Sequence, residues 1–136
     1  MRKPMGIAMV VAFTTFGAMA APLTKEEYKA GRARIAAEAQ AERQKCGSRY
    51  GNAANMCIAH ARGDQRVARA ELEAAYKPTP RKNYDAAIAR ARAAEAIARE
   101  ECDQKAREMR KACVKDAKAV TARARTEAAQ AMTTQK

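Results

Sequence analysis

The chain has 136 residues and a formal net charge of +12, from 27 Lys and Arg against 15 Asp and Glu, with one His and no Trp. That is one domain's length. From residue 21 onward Leu, Ile, Val and Phe supply only nine side chains while Ala supplies 32, so a large apolar core is excluded and stability needs another source. Ala, Arg, Lys and Glu are strong helix formers, so the composition reads as helix with a thin core.

Residues 1–20 read as a cleavable signal peptide. Arg2 and Lys3 form a positive start, an apolar stretch runs from Met5 to Phe16, and Ala18-Met19-Ala20 supplies small residues before a cut at Ala21. The apolar stretch is short for a membrane span, and the small-residue site favours cleavage over an uncleaved anchor. Removing Arg2 and Lys3 leaves +12 less two, or +10, on the mature chain. An export signal places the protein in the periplasm, with no transmembrane span in the mature part.

The next landmark is a capping box, Thr24-Lys25-Glu26-Glu27, with Leu23 and Tyr28 at the flanking staple positions. It predicts a first helix running to Gln44 or Cys46. Gly47, Ser48, Gly51 and Asn52 then break the helical pattern. A second helix is predicted from about Asn55 to Tyr76, with Cys57, Ala61, Ala68, Leu72 and Ala75 on one stripe. Lys77-Pro78-Thr79-Pro80 ends it, with Thr79 as the cap and Pro80 as the first residue of a third helix that runs to about Cys102. A fourth helix carries Met109, Cys113, Ala117, Val120, Ala124, Ala128 and Ala131 on one face. Between the third and fourth, Asp103-Gln104-Lys105-Ala106-Arg107-Glu108 contains no helix breaker, so local propensity alone would continue one helix through it.

An internal duplication argues for a turn there. Tyr28, Cys46 and Cys57 recur as Tyr84, Cys102 and Cys113, each displaced by 56 residues. Each copy is one supersecondary unit, a helical hairpin. The expected fold is therefore all-α: two tandem antiparallel hairpins, residues 21–78 and 79–136, forming an elongated array or a loosely packed four-helix bundle.

Four cysteines in an exported chain read as disulfides. Within each unit they flank the turn, and the repeated spacing favours Cys46–Cys57 and Cys102–Cys113. In one straight helix Cys102 and Cys113 would lie about 16 Å apart, beyond bridging distance. Pairing between the copies would instead draw the hairpins into a compact bundle.

Cys57 and His60 share a helical face, but a closed zinc site needs four ligands and this chain has one His. No catalytic constellation, phosphate loop or cofactor motif is present, which points to a non-enzyme without a metal or cofactor. Charge is the remaining functional signal. Residues 103–136 carry an excess of cations, and Arg107, Arg110, Lys111, Lys115, Lys118, Arg123 and Arg125 are the candidate anion-binding residues. Export and the lack of aromatics interleaved with the cations for base stacking argue against nucleic acid, which returns as a partner class if the signal reading fails. The partners expected are anionic envelope components, namely lipid headgroups, lipopolysaccharide or the cell wall. Unfolded exported proteins, bound by a stress-type chaperone, are the alternative. The bland reading of the charge is solubility alone.

Several pieces carry a resemblance: Leu23-Thr24-Lys25, Gly51-Asn52-Ala53, Ala70-Glu71-Leu72-Glu73-Ala74, Tyr76-Lys77-Pro78-Thr79, Tyr84-Asp85 and Cys113-Val114-Lys115. Across residues 23–120 the chain resembles small exported helical proteins of Gram-negative bacteria with a duplicated Tyr…Cys-x10-Cys unit. The resemblance implies an exported helical repeat and no particular activity. The composition also resembles the alanine-rich helical stalk of TolA, the periplasm-spanning protein of the Tol envelope system. The charged residue here is mainly Arg, and no function is carried over from that likeness.

Overall fold

The computed structural model describes residues 21–134. The signal-peptide reading of residues 1–20 lies outside them. The described chain forms four helices: α1 (Lys25–Cys46), α2 (Gly51–Tyr76), α3 (Pro80–Asp103) and α4 (Arg107–Thr134). The fold is all-α, as the sequence predicts.

The helix starts follow from local chemistry. At α1 the Thr24 hydroxyl accepts from the Glu27 amide at 3.2 Å, and the Glu27 carboxylate accepts from the Thr24 amide at 2.8 Å. Two otherwise orphaned amides are satisfied reciprocally. At α3 Thr79 accepts from the Lys82 amide at 3.2 Å, and Pro80, which has no amide hydrogen to orphan, occupies the first position. The second helix begins earlier than the sequence suggested. Gly51, read there as a breaker, opens α2 with a φ of 56°, a left-handed conformation that glycine adopts without Cβ strain. The chain thus turns straight into the helix and needs only residues 47–50 to reverse.

The disputed segment between α3 and α4 is a turn over residues 104–106. Its hydrogen bonding repeats that of the first turn. Arg49 N–H donates to the Cys46 carbonyl at 3.0 Å, and Lys105 N–H donates to the Cys102 carbonyl at 3.0 Å. Both turns are closed by local bridges, Cys46–Cys57 and Cys102–Cys113, with Cα–Cα distances of 5.5 and 5.6 Å.

Packing runs strictly in chain order: α1 on α2, α2 on α3 and α3 on α4. Among the described residues α4 makes no return contact with α1, so the hairpins form an open row of helices rather than a closed bundle. The two repeats are not separate bodies, because α2 and α3 share a seam of their own.

Small residues set these seams. A Cβ on Gly63 would stand 3.1 Å from the Cβ of Ala93, so α2 and α3 approach closely where neither carries bulk. On the other side of α2, Leu72 fills the space above Gly31 of α1. The buried hydrophobic residues are few: Ile35, Ala39 and Cys46 on α1, Ala61 on α2, Ala86, Ile88, Ala93 and Cys102 on α3, and Ala128 on α4.

The seam of α4 differs from expectation. Val120 is 61% exposed and Met109 is also exposed, whereas Thr121, one residue along, is 3% exposed. Its hydroxyl stands 3.4 Å from the Ala117 carbonyl and 3.4 Å from that of Ala91 across the seam. A short side chain that satisfies its own polar atom suits so close an approach better than valine.

Candidate anion-binding face

The seven candidate cations on α4 are all exposed, but they do not form one group. Thr121 and Ala128 face α3. At about 100° per residue, Arg107, Lys111, Lys115, Lys118 and Arg125 then fall in a sector of about 80° beside that seam. They form a stripe about 27 Å long. None of the five has a carboxylate partner among the described residues.

Arg110 leaves the stripe. Its side chain turns back over the second turn, donating to the Asp103 carbonyl at 3.2 Å, with Nε 3.9 Å from the Asp103 carboxylate. Arg123 lies across the helix, on the side of Asp116 and Glu127. The structure thus gathers five of the seven and separates two.

Sequence reasoning missed a second set of cations, on the first two helices. Lys29 and Arg32 of α1 and Arg69 of α2 line one hollow over the α1–α2 seam. Arg62 and Arg66 line a groove of ≈ 380 Å³ between α2 and α3, together with Ala93, Ala96 and Glu100. Their spacings along α2, four and three residues, already placed them on one face of that helix. Joining them to cations on neighbouring helices required knowing which seams form.

The end of this face is held by a polar pin. Tyr28 of α1 stacks on Tyr76 of α2 with ring centroids 4.4 Å apart. The Tyr28 hydroxyl donates to the Glu73 carboxylate, and Lys82 of α3 donates to the same carboxylate at 3.2 Å. Three helices meet there. The hydrogen bond from Tyr28, with Lys82 beside it, holds the Glu73 carboxyl below the ordinary carboxylate value, and the same bond raises the Tyr28 phenol. Arg32 sits over the Tyr28 ring, 5.9 Å from its centroid, which orders its guanidinium beside Arg69. The second repeat lacks this pin, having Ala129 and Met132 at the positions equivalent to Glu73 and Tyr76.

His60 is exposed beside the bridged Cys57. Among the described residues no group of three or more His, Cys, Asp and Glu side chains is arranged to hold a metal ion, and no helix is long and apolar enough to cross a membrane.

No protein-family model, curated protein or solved structure matches this chain.

Proposed function

We propose that this is a non-enzymatic protein of the bacterial cell envelope that binds anionic surfaces electrostatically. The observation that carries the reading is the α4 stripe: five exposed Lys and Arg side chains along about 27 Å, none neutralised by a carboxylate. Such a stripe lacks an internal partner and attracts an external anion. The periplasmic setting rests on the signal-type residues 1–20 and on two disulfides, which persist in oxidising compartments. That setting favours headgroups, lipopolysaccharide or cell wall over nucleic acid. The helices offer little Leu, Phe or Trp, so the contact is with charge and not by insertion.

Co-sedimentation with anionic vesicles, neutral vesicles, lipopolysaccharide and cell-wall sacculi tests this. Capture by at least one anionic surface and release from the neutral one is the expected result. Equal capture by neutral vesicles would contradict the mechanism. No capture by any surface would leave the charge as a solubility device and put the chaperone alternative first.

A further inference from the structure

We propose that the binding surface is not α4 alone but one entire face of the four-helix row, and that this face lies flat on a bilayer bearing anionic phospholipid headgroups. The proposal rests on the anion-binding reading above and names its surface and partner.

An open row has two broad faces. Neighbouring helices run antiparallel, so the direction of the helical wheel alternates along the row, and residue spacing assigns each exposed side chain to one face. The hollows over the seams anchor the assignment. Over the α1–α2 seam, one side carries Arg32 and Arg69, while the opposite side carries Glu38, Glu42 and Asp64. Over the α2–α3 seam, Arg62 and Arg66 line the groove on the first side and outnumber its one acid, Glu100, while the Arg90–Glu71 ion pair lies on the second. Carried across α3 and α4, the same geometry puts Arg92, Lys111 and Lys118 on the first side and Asp116 and Glu127 on the second.

The first face is therefore cationic on all four helices. The ion pairs sharpen the contrast. Arg34–Glu38, Lys45–Glu42 and Arg90–Glu71 all lie on the second face, where acids pair with three of the cations and leave Arg49 and Arg123 unpaired. On the first face Lys82 and Arg81 are paired, with Glu73 and Asp85. Arg32, Arg66, Arg69, Arg92, Lys111 and Lys118 form no ion pair among the described residues.

The shape selects the partner. With axes about 8–10 Å apart, the row measures roughly 25–30 Å between its outer axes. Helices of 22 to 28 residues make it about 33–42 Å long. A single polyanionic strand would follow one seam, whereas these cations are spread over four helices. A plane of phosphate-bearing headgroups meets them all at once, and arginine forms forked hydrogen bonds with phosphate. Ile58, the large apolar side chain lining the groove on this face, is half-buried between the helices, so it would not carry the face below the headgroups. A second copy, laying its acidic face on this one, is the competing occupant.

Two double substitutions remove the same net charge from opposite faces: Arg32→Gln with Arg69→Gln, and Arg34→Gln with Arg90→Gln. The probe is vesicles of phosphatidylglycerol mixed into phosphatidylcholine, at low salt. A Lys or Arg near an anionic leaflet is worth about fivefold in affinity. The first pair should weaken binding by roughly 25-fold and the second by less than about threefold. Circular dichroism and the melting temperature verify that both variants stay folded. Equal losses from both pairs would overturn the face assignment while leaving anion binding intact. Failure of the unsubstituted protein on every anionic surface would instead overturn the parent reading. Sedimentation velocity covers the competitor: if the first pair abolishes self-association and leaves vesicle binding unchanged, the face belongs to a second copy and the proposal falls.

Discussion

Removing one disulfide at a time should expose a difference between two turns that look alike. Each bridge spans a sequence separation of 11. The chain-entropy model gives each loop about 3 kcal/mol of stabilisation, with no difference between them. The difference lies in the competitor, a straight helix through the turn. In the first hairpin such a helix would place Gly47 and Gly51 in its interior at about 1 kcal/mol each. In the second hairpin the equivalent residues are Asp103 and Arg107, which together cost about 1 kcal/mol. The straight form is thus about 1 kcal/mol more accessible in the second hairpin. It would also release α4, whose only described packing partner is α3. We expect Cys46→Ser with Cys57→Ser to lower the melting temperature by roughly 10 °C and leave the hairpin shape intact. Cys102→Ser with Cys113→Ser should lower it further and lengthen the molecule, since residues 80–134 as one helix would span about 82 Å. Thermal melts by circular dichroism and small-angle X-ray scattering measure the two effects. Equal melting losses with no gain in length from the second pair would refute the reasoning.

Three further outcomes are expected. Gly63→Leu should destabilise by about 1–3 kcal/mol in chemical denaturation, because Ala93 already stands within contact of the missing Cβ, whereas Gly63→Ala should be near neutral as helix propensity offsets the tight contact. Gly51→Ala should cost about 1 kcal/mol although nothing lies near its Cβ, because its φ of 56° is unfavourable for alanine. The Glu73 carboxyl is lowered first by the Tyr28 hydrogen bond, so its stabilisation is present above the unfolded value of 4.5 and is lost as pH falls through the folded value. Melts taken from neutral pH into the acid range should therefore show a small acid-side loss in the natural protein that shrinks in Tyr28→Phe; an unchanged profile would remove the pin from the account.

Much of the fold was legible where residues carry conformational information. Thr24-Lys25-Glu26-Glu27 and Thr79-Pro80 marked helix starts because capping chemistry is local, and the 56-residue repeat of Tyr and Cys located the second turn where propensity favoured one continuous helix. Gly51 misled, because a glycine with positive φ both breaks one helix and opens the next. The α4 seam was misassigned at three positions: Met109, Val120 and Ala131 are exposed, and Thr121 packs where Val120 was expected. In an alanine-rich helix nearly every stripe is small enough to pack, so a bulky residue does not mark the buried side. The choice between a closed bundle and an open row was not legible either. It depends on whether α1 meets α4, a long-range contact with no local signature. The cationic face was invisible for the same reason: Arg32, Arg69 and Lys118 are far apart in sequence, and only the seams bring their helices side by side.

Binding to anionic vesicles across a salt series tests the central claim most directly. The Debye length falls from about 10 Å at 0.1 M salt to about 3 Å at 1 M, so an exposed electrostatic contact should weaken steeply over that range. The account predicts a linear fall of log affinity against log salt, with essentially complete release at high salt. Affinity that holds constant from low to high salt would show that something other than the cationic face carries the binding, and would contradict the account.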